Sequence, residues 1–561
     1  MEGVSVSASR TPQGADSRYR PFAGSEGFTA LRLPLLLVSY LVFLLVFSWA
    51  GFFVGIQITR YHFPLLSLAF GYAVWARFAT SRKEILWMGA FVIASLGISL
   101  LFIDRSWDSL WYHKRAMIAL ADGWNPVYQA LNIKDLPWPD VYWKTTWVLG
   151  ALAYKSIPIV NVVTFVNWIL LLAAFFTARA ALSVARVPPR WINLVAALIA
   201  LNPVSILQLT TSYVDGAVAS CVVIVTCALL GYCMVRQAGF LVLACFGSAL
   251  ALTVKVSCIT YLAGVWLAAA VFVVIMDGWR GLRLVSGTAI ATAVLTVWLG
   301  FNPYVTNYMR YGNPLHPLFG AHKIDNIITQ ALPRTYAGRS RLESLAISVF
   351  SGTAAEDAIG GVKFPGTMSI EELKGMHSPA LKVGGFGPLF SVVLLLAAAG
   401  LLTIPMRGAI FASLAGVGLI AVSLVNPAVW WARYVPWLWL LPMVVLVVML
   451  VRGRGPISRW FCVALTGVSI ANVVICLIIS LGAAAIFTLQ TSRTILEVRH
   501  WPEPVSIERT QIPSHVGGVQ ELHFVPRRLL TDLGVRTDEV DSCAGAQRML
   551  PYFKSSLCST W

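Results

Sequence analysis

The chain has 561 residues, of which 58% are hydrophobic and only 12% are charged. Soluble domains carry about twice that charged fraction, so the composition excludes an ordinary soluble protein. The formal net charge of +17 is typical of a membrane protein with basic cytoplasmic loops that contact anionic headgroups, and it does not require a nucleic-acid partner.

Apolar runs follow one another along the chain, separated by short polar breaks, and they predict transmembrane helices. The first run is too long for the core of a cleavable signal peptide, so we interpret it as a retained span. We therefore predict an all-α polytopic membrane protein with about thirteen transmembrane helices. The predicted spans are 33–55, 63–80, 86–103, 158–179, 191–211, 215–235, 239–254, 257–276, 284–302, 386–404, 408–425, 434–451 and 460–489.

The distribution of Lys and Arg predicts the orientation, because cytoplasmic loops are enriched in both residues. Placing the N-terminus in the cytoplasm puts most basic loops on that side. The predicted organisation is then a cytoplasmic N-terminal segment (1–32), three spans (33–103), a first outward loop with amphipathic helices (104–157), central spans (158–302), a second outward loop (303–385), C-terminal spans (386–489) and a short outward tail (490–561).

Two of the nine cysteines, Cys543 and Cys558, lie in the predicted outward tail. An oxidising compartment favours a disulfide between them, and two free thiols are the alternative. The other seven lie in or beside apolar runs and are predicted to be small core residues. The cysteines show no CxxC or other metal-ligand spacing.

The first outward loop opens with DRSWDSLWYHKRAMIALADGWNPVY, residues 104–128. Residues 106–121 favour a helix that lies along the membrane surface, with Asp108 and Tyr112 on one face. A carboxylate beside aromatic rings at that depth is in reduced dielectric, which favours proton capture and a role as a general base. The alternative is that Asp108 only caps this helix or pairs with Arg115.

This stretch resembles a known family. The residues that carry the resemblance are Asp108, Tyr112, Ala116, Ala119, Gly123, Trp124 and Pro126. The pattern is similar to polyprenyl-phosphate-sugar-dependent glycosyltransferases of the GT-C fold, in particular the protein mannosyltransferase and aminoarabinose transferase group and its bacterial relatives. That family commonly has a second acid directly after its Asp. Ser109 stands there in this chain, which weakens a metal role at that position.

Further segments resemble the family in the same order over about residues 100–450. They are YWKTTWVLGAL with Lys144, TTSYVDGAVAS with Asp215, ALTVKVSC with Lys255, NPYVTNYMRYGNPLHPLFG with Arg310 and His316, and WWARYVPWLWLLP with Arg433. Threonines replace the prolines that often follow the family's lysine, and Pro436 comes one residue early.

The resemblance implies a membrane glycosyltransferase, placed in a bacterial cytoplasmic membrane with its active site facing outward. It would move a sugar from a polyprenyl-phosphate carrier to a hydroxyl of a glycan, lipid or protein acceptor. The implied roles are Asp108 as base, Lys144, Lys255 and Arg433 on the donor phosphate, and Tyr112, Asp215, Arg310 and His316 on the substrates. The resemblance does not identify a particular cofactor. A divalent cation held weakly between Asp108 and Asp215 stays open.

Each charged candidate has a structural alternative. Lys144 would only extend along the interface, Asp215 would cap its span with Ser212 as a rival cap, and Arg433 would stack on neighbouring tryptophans. Lys255 lies within an apolar sequence, where a charge is costly and a partner or function is expected. His113 is predicted to be a packed helix residue.

The main functional alternative is a secondary transporter or flippase. A transporter would place ionisable residues near span centres, whereas the candidates here lie at the predicted outward ends. A polysaccharide polymerase or ligase and a non-catalytic scaffold are two further possibilities. The sequence contains no GxxxxGK[ST] motif and no GxGxxG motif after a strand, which argues against an ATP-driven pump and a soluble nucleotide-sugar enzyme.

Overall fold

The structure is a computed structural model of the chain. It describes residues 25–77, 82–131, 133, 138–320, 323, 331–354, 361–501, 504–509, 511–513, 519–521, 523–543, 547–550, 553 and 555–558. The chain is mostly helical, with 73% of it in helices. Most of the predicted cytoplasmic segment, 1–32, lies outside the described residues, and the first helix begins at Ser25.

The helices are numbered in chain order. They are α1 (Ser25–Phe53), α2 (His62–Arg77), α3 (Arg82–Leu100), α4 (Lys114–Ala121), α5 (Trp138–Val141), α6 (Thr145–Ser156), α7 (Phe165–Val184), α8 (Pro189–Ala200), α9 (Pro203–Gln208), α10 (Asp215–Val235), α11 (Ala238–Val254), α12 (Ile259–Asp277), α13 (Trp279–Leu299), α14 (Phe301–Tyr311), α15 (Arg341–Phe350), α16 (Ile370–Gly375), α17 (Phe390–Leu401), α18 (Met406–Val425), α19 (Leu440–Arg452), α20 (Gly455–Arg499) and α21 (Phe524–Asp532).

Within the described residues, eight helices are long and apolar enough to cross a membrane, and four shorter apolar helices accompany them. The eight are Ala30–Phe53, Arg82–Leu100, Val160–Val184, Asp215–Val235, Val256–Asp277, Gly281–Leu299, Met406–Val425 and Gly455–Arg499. The span predicted at 63–80 corresponds to α2, a 16-residue helix. The membrane character is therefore supported, while the count of thirteen spans is not confirmed.

The helices differ in how deeply they are buried. The spans Val160–Val184 and Asp215–Val235 are 72% buried inside the protein, whereas Met406–Val425 is only 11% buried. Since the outer helices expose apolar side chains, they are the ones suited to contact lipid. The centre of the fold is therefore built around α7 and α10.

Helices α10 and α11 are antiparallel neighbours joined by a short turn, and small residues let them approach closely. A Cβ added at Gly247 would stand 3.0 Å from the Ile224 side chain. Because the two helices run in opposite directions, the start of α10 and the end of α11 lie at the same end of the bundle. This pairing brings Asp215 next to Lys255.

The tail contains β-strands, which the sequence did not lead us to predict. The strands are β1 (Val505–Glu508), β2 (Gln511–Pro513), β3 (Val519–Glu521), β4 (Thr537–Val540), β5 (Gln547–Leu550) and β6 (Ser555–Cys558). One sheet has the order β4-β1-β6-β5, with β1 parallel to β4 and antiparallel to β6, and β2 pairs with β3. A disulfide joins Cys543 to Cys558.

The tail is docked on the first loop through α21. Arg528 donates to the Tyr154 hydroxyl at 2.5 Å and pairs with Asp122 at 3.3 Å. Asp532 accepts from the Tyr154 hydroxyl at 3.0 Å and from the Val160 amide at 3.1 Å. The tail therefore contacts the helical segment that presents the candidate site.

Candidate functional site

Four charged side chains from distant parts of the sequence form one network at an end of the helix bundle. Lys255 Nζ donates to Asp215 Oδ1 at 2.5 Å. Arg433 Nη1 donates to Asp108 Oδ2 at 3.3 Å and lies 3.8 Å from Asp215 Oδ2. Arg433 is thus the shared cationic partner of both carboxylates.

The ends of helices place these groups. Asp215 is the first residue of α10, and Lys255 directly follows α11. Arg433 lies in a 3₁₀ turn, Ala432–Tyr434, between α18 and α19. Asp108 precedes a π-helical turn, Ser109–His113, which continues into α4. Single π-helical turns are rare and are frequent at functional sites.

The helix predicted over 106–121 is thus present, but its first part is wound as a π-helix. Asp108 makes no side-chain capping bond there, and its partner is Arg433. The Arg115 guanidinium instead lies over the Phe524 ring at 5.1 Å. The N-cap residue of α10 is Val214 and not Asp215, whose carboxylate accepts from Lys255 and Gln208. Both carboxylates therefore belong to the network rather than to helix caps.

The four side chains differ in exposure. Asp215 is only 2% exposed, compared with 10% for Lys255, 12% for Arg433 and 17% for Asp108. Asp215 and Lys255 therefore form a buried ion pair, in which each charge compensates the other. Asp108 is the carboxylate at the accessible edge of the network.

Burial raises the pKa of the Asp108 carboxyl, although the Arg433 charge acts in the opposite direction. The Asp108 backbone amide also lies 3.4 Å from the Tyr213 hydroxyl. A carboxylate with a raised pKa is a stronger base than an ordinary surface aspartate. The partial exposure of Asp108 and its raised pKa together suit this carboxylate to proton transfer.

Aromatic rings surround the two cations. Lys255 Nζ lies 4.0 Å from the Tyr434 ring centroid, and the Arg433 guanidinium lies 3.9 Å from the Trp431 ring centroid. The stacking predicted as an alternative for Arg433 is therefore present together with its ion pairs. Arg433 Nε is buried and finds no hydrogen-bond acceptor among the described residues. A buried donor of this kind is costly unless a ligand oxygen meets it.

The second loop reaches the network through Gln208. The Gln208 amide nitrogen donates to Asp215 Oδ2 at 3.3 Å and to the Pro379 carbonyl at 3.0 Å, and its oxygen accepts from the Gly216 amide at 2.7 Å. Gln208 is fully buried. It fixes Asp215 relative to both the start of α10 and the second loop. Sequence reasoning missed this residue, since a glutamine in a short apolar helix carries no distinctive signal.

Lys144 is not brought into this network. Its side chain is fully buried, and Nζ donates to the carbonyls of Asp140 at 2.9 Å and Tyr142 at 2.5 Å. Burial lowers the pKa of this amine well below its usual value. This placement gives no support to the predicted contact with a donor phosphate, and full burial equally excludes the alternative of a side chain extended along the interface.

The remaining predicted substrate residues make other contacts. Arg310 pairs with Asp140 at 2.5 Å, and the His316 ring stacks on Tyr311 at 3.9 Å. Tyr112 packs its ring against His113 and Tyr142 behind Asp108. Arg310 therefore ties the second loop to the first, and the structure adds no support for its predicted role at a substrate.

His113 is a packed residue, as predicted. The Trp147 indole donates to His113 Nδ1 at 2.8 Å. Burial lowers the pKa of His113 to about 3, so the ring stays neutral at physiological pH. It is a hydrogen-bond acceptor in the wall of the site and not an acid.

The described residues contain no group of three or more His, Cys, Asp and Glu side chains that could hold a metal ion. The alternative of a divalent cation between Asp108 and Asp215 meets a specific difficulty. The Arg433 guanidinium already contacts both carboxylates. A metal would have to displace this cation.

An apolar groove of about 350 Å³ lies between the second loop and the C-terminal half of α20. It is lined by Leu373, Lys374, His377, Ile478, Ile479, Gly482, Ala483, Ile486 and Phe487. The Arg105 guanidinium lies over the ring of Phe487, and Arg105 is three residues before Asp108. One wall of the groove, Phe487, is therefore in contact with the segment that carries Asp108.

The fold and the site define a helical membrane protein with a charged network at the ends of its helices. Comparison of the chain with family models, curated proteins and solved structures gave no significant match. The function is therefore inferred from the geometry of the network itself.

Proposed function

We propose that this protein is an integral-membrane glycosyltransferase that moves a sugar from a polyprenyl-phosphate carrier to an acceptor hydroxyl. The observation that carries the proposal is the contact of Asp108 with Arg433, in which a base with a raised pKa meets a cation that has an unused buried donor. A transfer of this kind needs a base for the acceptor proton and positive charge for the departing phosphate.

The proposed reaction breaks the bond between the sugar's anomeric carbon and the phosphate oxygen, and it forms a bond from that carbon to the acceptor oxygen. The acceptor proton goes to Asp108, and the electron pair of the broken bond stays on the lipid phosphate. Arg433 stabilises that phosphate through Nε, and Lys255 adds positive charge nearby. No cofactor takes part in these steps.

Arg433 also couples the donor to the base. Before the donor binds, the guanidinium lies 3.3 Å from Asp108 and stabilises its charged form. A phosphate that attracts the guanidinium weakens this contact, and the pKa of Asp108 then rises further. Donor binding thus makes Asp108 a stronger base.

The apolar groove beside α20 supports the proposal that the donor carries a lipid chain. Ile478, Ile486 and Phe487 offer the apolar surface that a prenyl chain requires. Lys374 lines the groove, and the Arg105 guanidinium lies over the ring of Phe487, another lining residue. A lipid chain in the groove would bring its phosphate toward the network, since Arg105 and Asp108 share one short segment.

The finer topology belongs to the same proposal. We propose about thirteen membrane-embedded segments, with the network and the tail on the outward face of a bacterial cytoplasmic membrane. The Lys and Arg bias of the loops supports this orientation, and the disulfide in the tail fits an oxidising compartment.

The test uses the purified full chain in lipid nanodiscs with a panel of polyprenyl-phosphate sugars. Release of polyprenyl phosphate is measured by mass spectrometry, and donor binding is measured by thermal shift. We expect one donor to raise the melting temperature and to be consumed with a suitable acceptor. D108N should abolish consumption and retain the thermal shift.

The matched control is D277N, since Asp277 pairs with Arg236 at the far end of α12 and is 38% exposed. D277N should consume the donor at the wild-type rate. The proposal fails if no lipid-linked sugar shifts the melting temperature or is consumed. Uptake of a solute into proteoliposomes that is unaffected by D108N would favour a transporter instead.

A further inference from the structure

Asp104 and Lys114 lie on either side of Asp108 in the sequence, and their side chains are in contact. Lys114 Nζ lies 3.6 Å from Asp104 Oδ2 and donates to the Asp104 carbonyl at 2.9 Å. Both side chains are almost fully buried, with 0–1% exposed. The contact closes residues 104–114 into a loop that has Asp108 near its middle.

The Asp104 carboxylate is also bound to the chain on either side of the site. Oδ1 accepts from the Ser106 amide at 2.9 Å and from the Ser106 hydroxyl at 2.6 Å, and Oδ2 accepts from the Ser212 amide at 2.8 Å. Ser212 is three residues before Asp215. One buried carboxylate therefore connects the segment of Asp108 to the turn that leads into Asp215.

Ser109 extends this connection. Its hydroxyl lies 2.6 Å from that of Ser106 and accepts from the Ser212 amide at 3.1 Å. Ser109 is fully buried and begins the π-helical turn. The glycosyltransferase family that this segment resembles commonly has a second acid at this position. Here the Ser109 hydroxyl binds the Ser212 backbone amide instead.

We propose that the Asp104–Lys114 pair positions Asp108, holding it at a fixed separation from Asp215 and Arg433. Both side chains are almost fully buried and bind protein groups, so we treat both as positioning residues. The importance of this position for catalysis rests on the proposed function, but the geometric claim does not.

The chemistry of a buried pair makes the claim testable. Removal of one partner leaves an uncompensated buried charge and is strongly destabilising, whereas replacement of both by neutral groups of similar shape is often tolerated. K114M should therefore lower the melting temperature, and D104N/K114M should restore part of the loss. The amide that D104N introduces has one acceptor oxygen, which can serve the Ser212 or the Ser106 backbone amide but not both, so the connection between the two segments is weakened.

The position of Asp108 is measured without any substrate. A water-soluble carbodiimide with an amine nucleophile labels carboxyl groups in their protonated form, and peptide mass spectrometry quantifies labelling at Asp108 against pH. The titratable and charged groups that face Asp108 are Arg433, Asp215, Lys255, Tyr112, Tyr142 and Tyr213. The midpoint therefore reports both the burial of Asp108 and its distance from Arg433.

We expect the labelling midpoint in D104N/K114M to move from the wild-type value by more than about half a pH unit. The expected direction is downward, because burial is the largest influence on Asp108 and a released segment exposes it. At a fixed pH above the midpoint, a downward shift leaves a smaller protonated fraction of Asp108, so its labelling should decrease. An upward shift would mean that contact with Arg433 is lost while burial is kept, which also requires displacement of Asp108.

The control is K363M, which breaks the ion pair of Lys363 with Glu372 in the second loop, with side chains 14% and 6% exposed. It should lower stability and leave the Asp108 midpoint in place. A midpoint in D104N/K114M equal to the wild-type value would overturn the proposal, since the pair would then be structural only. Because no donor is used, this outcome is distinct from a failure of the proposed function.

Discussion

Arg433 Nη1 donates to Asp108 Oδ2 at 3.3 Å across 325 residues of sequence. The same guanidinium lies 3.8 Å from Asp215, whose other oxygen accepts from Lys255. Two carboxylates and two cations thus form one network with no net charge. Its parts differ in burial, so substitutions within it should have different consequences.

The first prediction concerns the stability of D108N. Burial raises the folded-state pKa of Asp108 above its unfolded value, so the folded protein binds this proton more tightly. The ionised carboxylate therefore destabilises the folded state at pH values above the unfolded pKa, and stability is regained as pH falls through the folded pKa. D108N should be at least as stable as wild type at pH 7, while glycosyl transfer is lost.

Thermal unfolding of both proteins between pH 7 and pH 4 measures this effect. The wild type should gain stability relative to D108N as the pH falls. A D108N melting temperature several degrees below that of the wild type at pH 7 would show that Asp108 is a structural ion-pair partner.

The second prediction concerns the buried pair at the centre of the network. K255M should be strongly destabilising, by about 3 kcal/mol or more, because it leaves Asp215 buried without its nearest cation. The double variant D215N/K255M should recover much of that loss. Melting temperatures of the two single variants and the double variant give the coupling directly. If the loss of stability in the double variant equals the sum of the losses in K255M and D215N, the two residues are not coupled.

The third prediction concerns Arg433 and the pH dependence of activity. In R433M the cation that lowers the pKa of Asp108 is gone, while burial and Asp215 still raise it. The acid limb of the pH–rate profile should move to higher pH by about one unit or more. The donor KM should also rise, because the guanidinium that is proposed to contact the donor phosphate is lost.

R310M is the matched control, since Arg310 pairs with Asp140 and not with Asp108. It should leave the acid limb where it is in the wild type. An R433M profile that superimposes on that of the wild type would exclude Asp108 as the group that sets the limb.

The fourth prediction concerns the tail. The disulfide between Cys543 and Cys558 spans a sequence separation of 15 residues, and a loop of that size gains about 3 kcal/mol from closure. C543S/C558S should therefore loosen the sheet and its docking on the first loop. Limited proteolysis should cut the tail faster in this variant.

C233S is the control, because Cys233 is a free cysteine in α10. It should be digested at the wild-type rate. Equal digestion of C543S/C558S and wild type would show that docking through α21 is sufficient to hold the tail.

The network was partly predictable from sequence for a topological reason. Asp215 and Lys255 flank two successive apolar helices, and a pair of antiparallel spans returns the chain to the side from which it started. A charged residue at each end of such a hairpin is expected at the same depth. The role of Lys144 could not be judged in this way, because its burial depends on the packing of α6 against neighbouring helices.

Composition and apolar periodicity determined by themselves that this chain is helical and suited to membranes, since local hydrophobicity decides whether a segment prefers lipid. Asp108, Asp215, Lys255 and Arg433 were singled out as a set by the resemblance of their segments to a glycosyltransferase family, and not by composition. Only the tertiary structure decided that these four meet, that Lys144 faces backbone carbonyls, and that Asp104 and Lys114 are in contact. The reason is physical: a buried charge requires a partner, and which partner it finds depends on how distant helices pack.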